Sequence, residues 1–374
     1  MKKFLAILMT LTMLLSVMSF AGADESSMKV AMITDYGDIT DQSFNQTTYE
    51  ACKAFCEAAS LDFQYYKPAS DSDADRVSSI ESAIDEGYNV IVMPGYAFAP
   101  AIVAVVEEYP EVTFIALDVS EYDLQAAKGT ESDFSWQYPA NLYSAVYQEE
   151  LCGYMAGYAV VKLGYKKLGF LGGMAVPAVV RYGYGFVQGA DAAAVELGLS
   201  DVEIKYVYGN QFYGDADITA YMDTWYANGT EIVFACGGGI YTSAAEAATK
   251  EGVNGKVVGV DVDQAPTIDG LYGEGLTVTS AMKGLAATVY SKLADVLNGA
   301  FEGGKVETLG LVGEDPDANF VQIAPSTQFS DGFTLEDYQA LVARMFAGEI
   351  TVSASTEEAP AVTAVDVDYQ GNIK

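Results

Sequence analysis

Short apolar runs rich in β-branched and aromatic residues alternate with amphipathic stretches along most of the chain. Runs at 29–34, 61–66, 89–93 and 112–117 read as strands, and the stretches between them, at 44–55, 74–86 and 97–109, carry helical spacing. Strands alternating with helices predict a parallel sheet wound on both faces. The alternation lapses over 121–138, where polar and aromatic residues mix, and a strand at 141–147 marks the expected first crossing into a second lobe. The pattern then resumes with helices at 149–163, 179–197, 215–228 and 241–251 and strands at 167–171, 202–208, 231–235, 256–262 and 276–282. A helix over 284–301 is expected to return to the first lobe, a late helix spans 335–347, and a small-residue linker at 353–363 leads to an edge strand at 365–369. The fold class predicted is α/β, with two doubly wound Rossmann-like lobes joined by a hinge. The first lobe is assigned 28–140 plus about 284–330, the second 141–283 plus about 331–350, and 351–374 is the linker and tail strand.

Residues 1–23 change the picture of where the chain works. Lys2 and Lys3 precede an apolar run from Phe4 to Val17, and Ala21, Gly22 and Ala23 form a small-residue cleavage site, the pattern of a secretory signal peptide. The run is shorter than the roughly 20 residues of a membrane span, so the mature chain is expected outside the cytoplasm, secreted or at the cell surface. A bacterial lipoprotein would have cysteine where Ala23 stands, so no acyl anchor and no direct membrane insertion is expected after cleavage.

The formal net charge of -33 becomes -35 without Lys2 and Lys3, since 17 basic residues then face 52 acidic ones. Such a surface repels phosphate backbones and anionic lipid, which argues against nucleic-acid polymers as partners. The chain has no histidine, which removes Ser-His-Asp and Cys-His catalysis and His-ligated zinc together. Cys52, Cys56, Cys152 and Cys236 sit in apolar contexts and read as free buried thiols. No cofactor or metal is expected: Asp71, Asp73 and Asp75 alternate like a calcium loop, but Arg76 replaces its glycine, and they read as a helix N-terminus.

Ligands of open α/β sheets bind beyond the carboxyl ends of strands, which directs attention to the loops there. The first strand ends in an acidic loop where Asp41 or Ser43 can cap the next helix. Phe44 follows, either stapling the helix start or offering a flat apolar face to a planar ring, with Asp41, Ser43 and Asn45 able to hydrogen-bond around it. Asp118 and Asp261 each end a core strand, one in each lobe. Gly238, in the run 237–239, follows another strand and brings bare backbone towards a ligand or makes a plain turn. Lys283, just past the strand at 276–282, either pairs with a carboxylate or donates to a ligand hydroxyl. Gly183, Gly185 and Gly189 imitate a dinucleotide fingerprint but lie inside a helical stretch with the wrong spacing.

Taken together, DQSFNQ at 41–46, EYPEVTFIALD at 108–118, YQEELCGYMAGY at 147–158, KLGFLGGMAVP at 167–177, FVQGA at 186–190, VVGVDVDQ at 257–264 and TSAMK at 279–283 resemble the basic membrane protein family. These are PnrA-like purine nucleoside receptors, the substrate-binding proteins of ABC transporters. The resemblance implies a type I periplasmic-binding-protein-like fold, no enzymatic activity, and a purine nucleoside and an ABC permease as partners. It also implies that Phe44 and Phe186 sandwich the base, that Asp118 bonds the base, and that Asp261 and Lys283 hold the ribose hydroxyls, with Asn45 and Gly238 nearby. Gln42 stands where the family usually has lysine, and Val179 and Val180 replace more polar residues before Arg181. From the residues alone, a binding protein or sensor for another metabolite such as a sugar, or a secreted acid hydrolase using Asp118, Asp261 or Asp263, remain alternatives.

Overall fold

The computed structural model describes residues 28–373; the expected signal peptide lies outside the described residues. Two sheets, one parallel and one parallel but for an edge strand, each covered by helices on both faces, form the two lobes. The first sheet contains β1 (Lys29–Ile33), β2 (Asp62–Tyr66), β3 (Val90–Pro94), β4 (Thr113–Leu117), β5 (Leu142–Tyr147) and β11 (Lys305–Leu309), in the order β11-β5-β4-β3-β1-β2. On one face its apolar side chains pack against α1 (Phe44–Ala59) and α10 (Leu285–Leu297). The other face meets α2 (Asp73–Asp85), α3 (Ala99–Val105) and α4 (Glu121–Lys128). Central strands such as β3, VIVMP, are buried throughout, as a sheet covered on both faces requires.

The second sheet contains β6 (Lys167–Gly172), β7 (Val202–Tyr208), β8 (Ile232–Cys236), β9 (Lys256–Asp261), β10 (Thr277–Lys283), β12 (Val321–Ile323) and β13 (Val365–Asn372), in the order β12-β10-β9-β8-β6-β7-β13. Every pairing is parallel except β10 with β12. The helices α5 (Glu149–Lys162) and α6 (Pro177–Leu197) lie on one face, with α11 (Leu335–Phe346) beyond them. The other face carries α7 (Ala216–Ala227), α8 (Tyr241–Ala248) and α9 (Ala265–Tyr272). Among the described residues no helix is long and apolar enough to cross a membrane, and all four cysteines are free and buried.

The sheets move two expected boundaries. The strand expected at 141–147 belongs to the first sheet, where β5 pairs with β4 and β11, so the chain crosses over at Gln148 rather than at residue 141. Within 284–330, assigned above to the first lobe, β12 joins the second sheet, so the chain crosses again between residues 309 and 321. With the crossing at Gly284, three strands of chain run side by side at the hinge. Backbone bonds tie them together: Gln148 N donates to Leu309 O, Gly284 N to Phe320 O and Phe320 N to Gly310 O. Within 121–138, where the alternation lapses, Ser120 and Asp123 form a reciprocal capping box that starts α4.

The glycines that imitated a nucleotide fingerprint have a packing role. A Cβ on Gly157 would stand 2.0 Å from the Phe186 carbonyl oxygen, and one on Gly153 would stand 2.2 Å from that of Tyr182. Reciprocally, Gly189 meets the Tyr154 oxygen at 2.0 Å and Gly185 that of Glu150 at 2.2 Å. Two small-xxx-small faces thus bring the α5 and α6 backbones into contact, which only glycine permits. Gly157→Ala should lower stability by about 1–3 kcal/mol through overpacking, although alanine favours a helix by about 1 kcal/mol over glycine. Urea unfolding followed by circular dichroism measures this, and an unchanged midpoint would contradict the close contact.

Candidate functional site

The carboxyl ends of both sheets face each other across a cleft of about 700 Å³, within the range of small-molecule sites. Asp118 follows β4 and Asp261 ends β9, and both line the cleft. Each adopts a left-handed backbone, with φ of 61° and 64°, a conformation that carries a steric cost for residues other than glycine. At both strand ends the turn aims a carboxylate into the space between the lobes.

The loop after β1 builds the first-lobe wall. The Asp41 carboxylate accepts from the backbone N–H groups of Ser43 at 2.9 Å, Asn45 at 2.9 Å and Gln46 at 3.0 Å, and from Asn45 Nδ2 at 3.1 Å. Asp41 thus caps α1 with its acceptor capacity committed to that turn, and it works on the cleft by holding its neighbours. Burial raises its pKa, opposed by those N–H donors. The capped turn leaves Phe44 half-buried on the cleft wall and places Asn45 beside it with a buried Oδ1 that has no partner. Asp35, also on the wall, accepts from Tyr36 N at 2.6 Å and Gly37 N at 2.9 Å, and burial raises its pKa.

At the hinge end of the cleft one buried ammonium is shared among three carboxylates. Lys283 pairs with Asp118 across the lobes, lies 3.5 Å from Glu149 Oε1 and 3.7 Å from Asp261 Oδ1, and sits 4.7 Å from the centroid of the Phe44 ring. Burial alone would lower the Lys283 pKa, but Asp118, Asp261 and Glu149 outweigh it and hold the ammonium above its ordinary value. Burial pushes Asp118 up to about 6; Lys283 opposes this and Glu149 adds to it. Asp118 Oδ1 is buried without a partner, an acceptor awaiting a donor.

Further bonds surround the cleft, and all but that of Tyr182, which stays within the second lobe, join the two lobes. Ser43 Oγ donates to Asp261 Oδ2 at 2.6 Å, and Tyr182 OH donates to Asp261 Oδ1 at 3.3 Å. Gln264 Nε2 donates to the Gln42 carbonyl at 3.1 Å, while Thr267 Oγ1 donates to Gln42 Oε1 at 3.1 Å. Gln42, which departs from the family pattern, therefore serves as an inter-lobe contact in a closed molecule.

On the second lobe one expectation fails. Phe186 is fully buried and does not line the cleft; its ring packs on Phe234 with centroids 5.4 Å apart. The reason lies in the run of α6. Arg181 and Tyr182 near its start line the cleft, and one further turn, about 5.4 Å along the axis, carries Phe186 into the core between α5 and the sheet. The phenylalanines that do line the cleft are Phe44 and Phe212, the latter in the loop after β7 against the backbone of Gly237 and Gly238. Gly238 keeps its expected place on the cleft wall, with φ of 52°. Phe212 had a readable signal: like Phe44, it follows a strand in a polar, glycine-containing loop. Glu149 and Arg181 were also missed, and an acidic pair opening an otherwise apolar helix was the sign of Glu149. The structure thus gathers Phe44, Asn45, Asp118, Gly238, Asp261 and Lys283 on one cleft, with Asp41 on the same wall engaged as a helix cap.

Comparison with known proteins agrees with this architecture. The family described as ABC transporter substrate-binding protein PnrA-like matches residues 28–323. The ABC transporter nucleoside-binding protein BmpA of Lactococcus lactis is 26% identical over 308 residues, covering 78% of this chain and 81% of its own length. Basic membrane protein B of Borreliella burgdorferi is 28% identical over 309 residues, covering 80% and 83%. Among solved structures, a solute-binding protein of an ABC transporter system from Conexibacter woesei superposes with a TM-score of 0.66 at 21% identity, covering 88% of this chain and 99% of its own. One from Aeropyrum pernix K1 gives 0.65 at 20% identity, covering 88% of each chain. These two likenesses show the two-lobed fold of type I periplasmic binding proteins. With the family match spanning both lobes, the chain belongs to the PnrA-like ABC transporter substrate-binding proteins, extracytoplasmic and non-enzymatic proteins that bind a small solute for a membrane permease.

Proposed function

We propose that the solute is a purine nucleoside, held between the lobes for uptake. The observation that carries this reading is the unpartnered, buried Oδ1 of Asp118 at the edge of a cleft whose walls present Phe44 and Phe212. A purine offers an aromatic face to the rings and N–H donors along its edge to the carboxylate. The ribose then meets Asp261 and Lys283, with Asn45 Oδ1 as a further acceptor. Seven aspartates line the cleft against two cations, Arg181 and Lys283, both already paired. That balance repels phosphate esters and favours an uncharged nucleoside over a nucleotide. The relative in L. lactis is itself named for nucleoside binding. Calorimetry with nucleosides, free bases, nucleotides and sugars tests the reading; binding of a sugar alone would replace it with the other-metabolite alternative.

The aromatic pair makes a sharp prediction. Phe44→Ala and Phe212→Ala should each weaken nucleoside binding by about 1–3 kcal/mol with the fold intact. Phe186→Ala should instead cost about 3–5 kcal/mol of folding stability, as a core truncation does. Thermal melts and calorimetry on all three separate these outcomes, and a pure binding loss at Phe186 would restore it to the site.

Acid should weaken binding. An ionised carboxylate is the stronger acceptor for a base N–H, and burial raises the Asp118 pKa to about 6. Affinity for guanosine or inosine is therefore expected to hold above that value and to fall as pH drops below it, because the solute favours the ionised form. Asp118→Asn should abolish this limb of the profile.

The ribose contacts predict selectivity. Asp261→Ala should cost roughly 1.5–3 kcal/mol, the range for hydrogen bonds to charged groups, and should hurt ribonucleosides more than free bases. Equal losses for both classes of ligand would leave Asp261 as an inter-lobe link to Ser43 alone.

A further inference from the structure

We infer that Glu149 and Arg181 are positioning residues for the solute site: they hold the Lys283 ammonium on Asp118 Oδ2 and away from Oδ1, leaving that second oxygen free to accept from the solute. The inference rests on a chain of alternating charge. Arg181 Nε donates to Glu149 Oε2 at 2.7 Å, the other oxygen of Glu149 faces Lys283 at 3.5 Å, and Lys283 in turn pairs with Asp118. Glu149 is fully buried and the Lys283 side chain is 3% exposed, so water does not screen these contacts. A charged carboxylate in that place is costly unless paired. Arg181, in the second turn of α6, supplies the pairing charge, and the glycine contacts between α5 and α6 hold both residues in register.

Location gives the chain its leverage. Glu149 directly follows the hinge crossing at Gln148, and Lys283 directly precedes the one at Gly284, while Asp118 belongs to the first lobe. Without Glu149, the ammonium would have Asp118 and Asp261 as its remaining partners and would be free to bridge both Asp118 oxygens, taking up the Oδ1 that the solute needs. The groups facing Asp118 are Lys283 from β10, Glu149 from α5, Asp261 from β9, Tyr147 from β5 and Arg181 from α6. Glu149 and Arg181 act on Asp118 with opposite sign: the carboxylate raises its pKa, and the guanidinium attracts its charged form.

The test reads the midpoint of the Asp118 titration. Glu149→Gln is expected to shift that midpoint downward by about 1 pH unit, the size of effect a nearby buried charge produces, and to weaken guanosine binding at pH 7.5. Arg181→Met is expected to shift it upward, and Arg181→Lys to restore most of the wild-type value. Asp carboxyl ¹³C NMR of the ligand-free protein, assigned with Asp118→Asn, measures the midpoints with no solute present. This arm stands even if the nucleoside reading fails, whereas the affinity arm, by calorimetry across pH, rests on that reading. Shifts of opposite sign support the inference. Midpoints unchanged in both variants, or shifted in the same direction, overturn it in favour of a purely structural ion pair. Should Glu149→Gln not fold, the direction of the Arg181→Met shift decides alone.

Discussion

One buried ammonium shared by three carboxylates governs this site. Lys283 reaches Asp118 in the first lobe and Glu149 and Asp261 in the second. A lone charge so deeply buried would be intolerable, and three negative charges there without it equally so. Both lobes must therefore approach for the charges to be satisfied, which links lobe closure to the polarity of the cleft. Because one cation cannot satisfy three anions, acceptor capacity is left over. It appears as the free Oδ1 of Asp118, the atom on which the nucleoside reading turns.

The helix pair behind the cleft keeps that cluster in place. Glycine faces let α5 and α6 approach until backbone touches backbone, fixing the start of α6 against the start of α5. Glu149 and Arg181 stand at those two starts, and Tyr182 continues to Asp261 at 3.3 Å. A small shift of either helix would misplace a charge by more than a hydrogen bond tolerates. The stiffness of the scaffold and the precision of the site thus have a common origin.

Closure also depends on uncharged contacts. Ser43 and Gln42, in the turn held by the Asp41 cap, reach Asp261, Gln264 and Thr267 on the opposite lobe. The turn that presents Phe44 to the cleft is the same turn that bonds across it. On the proposed reading, a solute stacked on that ring would touch the same turn that carries the closing contacts.

The sequence by itself determined most of the alternating elements and drew attention to several cleft-lining residues that follow strands, though not to Phe212. Phe44, Asn45, Asp118, Gly238, Asp261 and Lys283 were legible because in a parallel sheet the carboxyl end of a strand points to the ligand side whatever the neighbouring strands do. Three things needed the tertiary structure. Strand order decided lobe membership: β5 reads as a strand without saying which sheet it joins, and β11 (KVETL) and β12 (VQI) are too short or too polar to stand out as strands at all. Helix direction decided Phe186: helical periodicity marks an apolar face but not how far along the axis that face leaves the cleft for the core. Burial with charge decided Glu149 and Arg181, because two acidic residues at a helix start read as solvated until packing shows one enclosed with an arginine and a lysine. Local pattern reports what each segment prefers, whereas contacts between residues far apart in sequence arise only once the segments are packed.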